Sequence, residues 1–130
     1  METCEIVPFV DQVECHPYLA QDDLLAFGKE HGIQIEAYSP FARNLPDLIY
    51  NPILKGIAKT KGKNVHQVIL RWDFQRDVIA IPKASSMQRI EQNCDIFDFT
   101  LSDEEMSRIQ SLNKGFRIRF NPDTVDYADL

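Results

Sequence analysis

The sequence has few cysteines, no long apolar runs and no basic leader, and each absence excludes a class of protein. Only three of its 130 residues are cysteine, an odd number at scattered spacings, which argues against a disulfide framework and favours a reducing compartment such as the cytoplasm. Its longest apolar runs, such as 68–70 and 79–81, are far shorter than the about 20 residues of a membrane-spanning helix. Residues 1–5 lack the basic, then apolar pattern of a secretory signal.

An excess of positive charge is also lacking. Fourteen Lys and Arg residues against twenty Asp and Glu residues give a net charge of −6. Such a chain has no general attraction for nucleic acid or for an anionic membrane, so neither is expected as a partner. Any anion-binding site must therefore be local. The remaining composition, 44% hydrophobic and 26% charged, is typical of an ordinary soluble domain.

Short β patterns alternate with helical patterns along the chain. Alternating polar and apolar residues predict strands at 9–16 and 33–38, and the continuous apolar run 78–81 predicts a strand buried on both faces. Helices are predicted at 22–31, between Asn51 and Gly62, from Asn64 through Trp72, from Ser85 or Ser86 onward, and from Ser102 to about Asn113. A loop is predicted at 41–47, and the tail 114–130 has no clear periodicity.

This order of strands and helices predicts an α/β fold with parallel strands joined by right-handed crossovers. Three strands are few for such a sheet and leave two unpaired edges, so the pattern indicates part of something larger. One face of the first two strands is polar, and it carries Gln12, Glu14, His16, Gln34, Glu36 and Tyr38. That face suits either open water or the polar interior of a closed barrel, and the residues alone do not separate the two.

The clearest local signal for binding follows the third strand. Lys83 ends that strand, Ser85 and Ser86 lead into a helix, and Arg89 falls in or near its first turn. A cation there faces the positive end of the helix dipole, which disfavours it by about 0.3–1 kcal/mol unless an anion offsets it. Backbone N–H groups, hydroxyls, a Lys and an Arg together suit a phosphate monoester. The alternative is that a serine only caps the helix while Arg89 pairs with a nearby acid.

Other candidate groups are assigned no chemistry. Adjacent strand residues point to opposite faces, so Cys15 and His16 cannot act as nucleophile and base. No metal site is expected, because ligands at zinc spacing are lacking and four of the candidates are isolated, namely Cys4, Cys94, His31 and His66. Tyr38 ends its strand where α/β proteins bind ligands, although such a residue is more often a packing aromatic. Trp72 is expected in the core, and the charged segment 117–129 is expected to be a solvated surface.

Three ordered motifs resemble the aldo-keto reductases. They are residues 12–18 (QVECHPY), residues 37–40 (AYSP) and residues 81–83 (IPK) with Arg89, Ile90 and Asn93. Residues 101–106 and 112–113 also resemble that family's last helix. Family members are (β/α)8 TIM barrels that use NADPH to reduce aldehydes and ketones to alcohols. The resemblance implies that residues 1–113 are a half-barrel, with about three parallel strands that match strands six to eight, and that residues 114–130 are a C-terminal tail.

The resemblance also implies a set of contacts with NADP(H). Gln12 would bind the nicotinamide carboxamide, and Tyr38 would stack on the nicotinamide ring. Ser39 and Phe41 would lie along the pyrophosphate, with Arg43 as a further candidate. The adenosine 2′-phosphate would be bound by Lys83, Ser85, Ser86 and Arg89. Gln92 and Asn93 would contact the adenine. Two positions depart from the family pattern, since Ala84 replaces a serine on the 2′-phosphate and Asp11 replaces an asparagine near the nicotinamide.

No residue of this chain matches the family's catalytic Asp, Tyr, Lys and His, which lie in the first half of the barrel. In the family, the Tyr is the general acid and the nicotinamide supplies hydride. We therefore expect no catalytic residue in this chain and no turnover by the chain alone. The residues leave open whether NADP(H) binding is retained, weakened or lost. One alternative is a non-catalytic α/β module that self-associates in a structural role. Another is a half that assembles with a separate N-terminal half.

Overall fold

The computed structural model describes residues 5–126 and 128, so the sequence predictions for residues 1–4, including Cys4, lie outside this part. The strands are β1 (Val10–Glu14), β2 (Gln34–Tyr38) and β3 (Ile79–Ala80). The helices are α1 (Asp22–His31), α2 (Pro46–Ile49), α3 (Pro52–Lys61), α4 (Val65–Gln75), α5 (Met87–Cys94) and α6 (Asp103–Gln110), and a short 3₁₀ turn spans Ala42–Asn44. No helix within the described residues is long and apolar enough to cross a bilayer.

The three strands form one parallel sheet in the order β1-β2-β3, as the alternation of strands and helices predicted. The register aligns Gln12 with Glu36 and Glu14 with Tyr38. Because aligned residues of neighbouring strands share a face, these polar side chains lie together, and Gln12 Nε2 donates to Glu36 Oε1 at 2.6 Å. The carboxyl ends of the strands, from which the candidate site begins, therefore lie at one edge.

The opposite face of the sheet is apolar and packs against helices. Cys15, Ile35, Ala37 and Val78 form a buried cluster with Leu25 of α1 against it. Helix α1 comes so close to β2 that a Cβ at Gly28 would lie 2.6 Å from the Ile33 carbonyl oxygen. A larger core joins α3, α4 and α6, and Trp72 at its centre is fully buried, as predicted.

Helix starts follow the capping residues in the sequence. The Asn51 side chain accepts from Ile53 N, while Asn64 and Ser102 each begin a complete capping box, with Gln67 and Glu105 respectively. An N-cap of this kind contributes about 1 kcal/mol to helix stability. These caps set where α3, α4 and α6 begin, and α4 and α6 precede and follow, in the sequence, the segment that carries Lys83 and Arg89.

Three sequence predictions are wrong in detail. β3 is two residues long, and its first residue Ile79 and the following Ile81 are 47% and 42% exposed rather than buried on both faces. The register explains this, because Ile79 aligns with Glu36 on the polar face while Ala80 aligns with Ala37 on the helix side. β1 ends at Glu14, since His16 instead bridges to Leu19 in a turn. The predicted loop 41–47 contains the 3₁₀ turn and the start of α2.

Asp73 of α4 is a fully buried carboxyl group beneath the sheet. Neither of its oxygens has a hydrogen-bond partner among the described residues. Burial raises the pKa of Asp73 well above its usual value, and the nearby Arg76 opposes this only in part. The folded chain thus holds this proton more tightly than the unfolded chain does.

We predict that Asp73→Asn stabilises the chain increasingly as the pH rises. The wild-type carboxyl group has a higher pKa in the folded chain than its ordinary pKa of 3.8. The folded state therefore loses free energy of stabilisation from this group as the pH rises above 3.8. Asparagine stays neutral, so the difference in Tm between variant and wild type should widen from pH 4 to pH 8, by about 4 °C for each kcal/mol gained. The exposed substitution Glu104→Gln is the control, and parallel curves of Tm against pH for wild type and Asp73→Asn would contradict the prediction.

Candidate cofactor site

Two adjoining clefts lie where β2 and β3 lead into the following loops. The first, here called the Ser39 cleft, has a volume of about 560 Å³, and the second, the His66 cleft, has about 380 Å³. The Ser39 cleft is lined by Ser39, Pro40, Phe41, Arg43, Asn44, Ile81, Lys83, Ser85 and Arg89. The His66 cleft is lined by Phe41, Asn44, Pro46, Ile49, Tyr50, His66, Lys83, Arg89, Gln92 and Asn93. The shared residues Phe41, Asn44, Lys83 and Arg89 join the two.

Most of the residues that the sequence singled out are thereby brought together. Seven of the ten line one or both of these clefts, and they are Ser39, Phe41, Lys83, Ser85, Arg89, Gln92 and Asn93. Ser86 lies beside them as the N-cap of α5, where its hydroxyl accepts from Arg89 N at 3.3 Å. Gln12 and Tyr38 line a different cleft, described below.

The loop after β2 has an unusual backbone. Ser39, Ala42, Arg43 and Asn44 have φ angles of 51°, 47°, 56° and 59°, in the left-handed region that non-glycine residues seldom adopt. Each such residue costs about 1–3 kcal/mol, and such strain is typical of ligand-binding segments. The turn buries Phe41 against α4, where its ring meets the His66 ring edge-on at 4.6 Å between centroids.

The start of α5 is rich in groups that bind anions. Arg89 donates from its guanidinium to Ser85 Oγ at 3.3 Å, and Lys83 lies across the same cleft. Within the part of the chain that the structure describes, neither Lys83 nor Arg89 takes part in an ion pair. The alternative from the sequence, in which a serine caps the helix and Arg89 pairs with an acid, is thus half right, since Ser86 is the cap but Arg89 pairs with Ser85.

His66 is a member of the site that the sequence did not reveal. It was isolated in the sequence, yet its Nε2 lies 2.8 Å from Asn44 Oδ1 and its ring borders the cleft that holds Arg89. Burial lowers the pKa of His66, and the positive charge of Arg89 lowers it further. The available signal was its place in the first turn of α4, two residues after the Asn64 cap.

A third cleft, of about 430 Å³, lies at the carboxyl end of β1 and is called here the tail cleft. It is lined by Asp11, Gln12, Val13, Glu14, Gln21, Leu24, Tyr38, Arg117, Phe120, Pro122 and Asp123. Gln12 and Tyr38 therefore face the same space. Tyr38 of the tail cleft directly precedes Ser39 of the Ser39 cleft in the chain.

The protein-family comparison agrees with this arrangement. A model of the Aldo/keto reductase family matches residues 1–114 of the chain. The chain belongs to the aldo/keto reductase family. The sequence motifs after β1, β2 and β3 are therefore family motifs, and the resemblance inferred from them is confirmed.

Individual aldo-keto reductases match nearly the whole chain. Glyoxal reductase of Bacillus subtilis (strain 168) is 48% identical over 125 residues, which are 96% of this chain and 45% of that protein. The crystal structure of an aldo-keto reductase from a Medee basin deep-sea metagenome library has a TM-score of 0.92 at 41% identity, over 97% of this chain and 47% of that one. The complex of a Gox0644 mutant with NADPH has a TM-score of 0.91 at 29% identity, over 98% and 46%.

This aldo/keto reductase chain thus spans less than half the length of the relatives it matches. Its structural neighbours are TIM barrels, so its three parallel strands with their helices correspond to part of such a barrel, which confirms the predicted fold class. The polar face shared by Gln12 and Glu36 corresponds to the inside of a barrel rather than to its helix-covered outside.

We predict that Arg89→Ala raises the pKa of His66. The guanidinium charge lowers this pKa in the wild-type chain, so its removal should shift the imidazole titration toward higher pH, whereas burial continues to act in both. The titration of the His66 ring proton by NMR measures the shift. Arg108→Ala, an arginine in the last turn of α6, is the control, and an equal response to both variants would show that Arg89 is not the cause.

Proposed function

We propose that this chain is the NADP(H)-binding portion of an aldo-keto reductase. In this proposal the Ser39 and His66 clefts hold the phosphates and the adenosine, and Gln12 and Tyr38 bind the nicotinamide end. The observation that carries it is the pair of cations Lys83 and Arg89, which share a cleft without a carboxylate partner among the described residues. A phosphate would supply the missing negative charge.

The residues present suit the dinucleotide. Both clefts fall within the range of about 300–1,000 Å³ that is usual for small-molecule sites. Arg89 offers a planar fork for the 2′-phosphate, Ser85 a hydroxyl, and the first turn of α5 its backbone N–H groups. At Ala84, where family members carry a serine, the backbone N–H remains as a donor. NADPH, where bound, would supply the hydride of the reduction.

The chain's own residues would bind and orient the cofactor, but we propose that they do not provide the proton. Gln12 is held by Glu36, which sets the direction of its amide. His16 is fully buried and bonded to Glu14, so it is no candidate for an acid that meets substrate. No residue matches the family's catalytic Tyr, Lys, His and Asp.

The sheet edges favour assembly with a complementary half or with a second copy. Among the described strands, β1 and β3 each pair on one side only, and apolar side chains line these edges, with Phe9 80% and Ile79 47% exposed. Unpaired parallel strands with apolar neighbours commonly become covered. We propose an N-terminal barrel half as the partner and self-association as the alternative, in a reducing compartment such as the cytoplasm.

We predict that the chain binds NADPH in the micromolar range and that Arg89→Ala weakens this binding about 10- to 100-fold, as expected when a charge-assisted hydrogen bond is lost. NADH lacks the 2′-phosphate, so its affinity should change less than about threefold. Quenching of intrinsic fluorescence measures both, with Arg108→Ala as the control. Absence of binding at millimolar NADPH, or equal losses for the two cofactors, would refute the proposed site.

We also predict no reductase turnover by the chain alone. Glyoxal is a suitable probe because a relative is named glyoxal reductase, and NADPH oxidation is followed by its absorbance. The expected rate equals that of cofactor and glyoxal without protein, because no residue of the chain matches the tyrosine that donates the proton in the family. Glyoxal-dependent NADPH oxidation that scales with the concentration of the chain would show that the proposed inactivity is wrong.

A further inference from the structure

Glu14 ends β1 with a buried carboxylate that binds the C-terminal tail. Its side chain is 1% exposed, and its Oε1 accepts from Ile118 N at 2.7 Å while its Oε2 accepts from Arg119 N at 3.0 Å. Two consecutive backbone N–H groups, more than a hundred residues away in the chain, are thus bound by one carboxylate. The side chains of residues 117–126 are exposed or half-buried, as expected of a solvated surface, but the backbone N–H groups of Ile118 and Arg119 are bound by this carboxylate.

His16, in the turn that follows β1, completes the arrangement. It is fully buried, and its Nε2 lies 3.0 Å from Glu14 Oε1, while its Nδ1 has no partner in residues 5–126 and 128. This pattern fits the neutral tautomer with hydrogen on Nε2, which donates to the carboxylate. Burial lowers the pKa of His16, more than Glu14 raises it, and Arg117 also lowers it, which agrees with a neutral ring.

The carboxylate therefore accepts three hydrogen bonds in a site closed to water. A buried charge is costly when its donors are removed, because water cannot replace them. The position of the tail backbone at 118–119 is accordingly tied to Glu14 more tightly than a surface contact would be. Lys114 N and Phe116 N add two bonds to the Tyr18 carbonyl oxygen, at 3.2 and 3.0 Å.

The residues beside this attachment form one wall of the tail cleft. Arg117, Phe120, Pro122 and Asp123 line it opposite Gln12 and Tyr38. Arg117 and Phe120 flank the two amides that Glu14 binds, so displacement of those amides would move the wall. Within the described part of the tail, no other hydrogen bond to a buried charged side chain of β1 is present besides these two to Glu14.

We propose that Glu14, oriented by His16, anchors residues 117–123 as a wall of the tail cleft and thereby sets the affinity for the nicotinamide half of the dinucleotide. The ligand part of this inference rests on the proposed function. Glu14 is a positioning residue in it, since its carboxylate is buried and acts through the tail backbone that it binds. A purely structural role would instead affect the stability of the whole chain without distinguishing one half of the dinucleotide from the other.

The decisive experiment removes one donor from the tail and leaves the core unchanged. Arg119→Pro deletes a backbone N–H that binds Glu14, whereas Arg119→Ala is matched to it and keeps that N–H. Hydrogen exchange of the Ile118 amide should be at least about tenfold faster in Arg119→Pro than in Arg119→Ala. Glu14→Gln, which has one acceptor oxygen fewer, should accelerate the same amide, and Glu104→Gln should not.

The ligand readout compares NADPH with 2′,5′-ADP, which carries the 2′-phosphate and adenine but no nicotinamide. Arg119→Pro and Glu14→Gln should weaken NADPH about tenfold and change 2′,5′-ADP less than about twofold. Thermal unfolding checks that the variants are folded. If Glu14→Gln does not fold, the pair of Arg119 variants decides the question alone.

The outcomes separate cleanly. Equal Ile118 exchange in Arg119→Pro and Arg119→Ala would overturn the anchor, and faster exchange with unchanged NADPH affinity would overturn its effect on the nicotinamide half. Equal losses for NADPH and 2′,5′-ADP would also overturn it, because the effect would then be general. If the wild-type chain binds neither ligand, the proposed function fails and the ligand part falls with it, while the exchange rates still decide the anchor.

Discussion

Packing of the helices against a single face of the parallel sheet is the constraint on which the rest of this structure depends. Ile35, Ala37 and Val78 are buried toward α1 and α4, so the alternate residues of the same strands must lie on the other face. That alternation brings Gln12 beside Glu36 and Glu14 beside Tyr38. The parallel direction of the strands then delivers all the following loops to one edge, which explains why three distant motifs meet there.

Electrostatics at that edge are arranged in two contrasting ways. Near α5, the cations Lys83 and Arg89 are exposed and have no acidic partner among the described residues, an arrangement that suits a mobile anionic ligand. At the end of β1, the Glu14 carboxylate is buried and fully supplied with hydrogen bonds from the chain itself, an arrangement that suits a permanent structural role. The strained turn at 42–44 borders the same clefts as the two cations, and Phe41 is buried there beside His66.

Local signals in the sequence predicted most elements correctly. The caps Asn51, Asn64 and Ser102 are seen in the helices they were expected to begin, because a cap depends only on residues within one turn. The burial of β3 was predicted wrongly, since an apolar run does not reveal whether a strand lies at an edge. The clustering of Lys83, Ser85 and Arg89 was foreseen because all three belong to one segment, whereas His66 comes from a separate helix and was missed.

The sequence by itself determined the strand and helix order, the helix caps and the family, because each of these depends on residues that are near one another in the chain or on motifs in a given order. Only the tertiary structure decided that His66 borders the cleft of Arg89, that the buried Asp73 carboxyl group has no hydrogen-bond partner among the described residues, and that Glu14 binds the amides of residues 118 and 119. These features join segments far apart in sequence, and their energies depend on burial, which no local pattern of residues specifies.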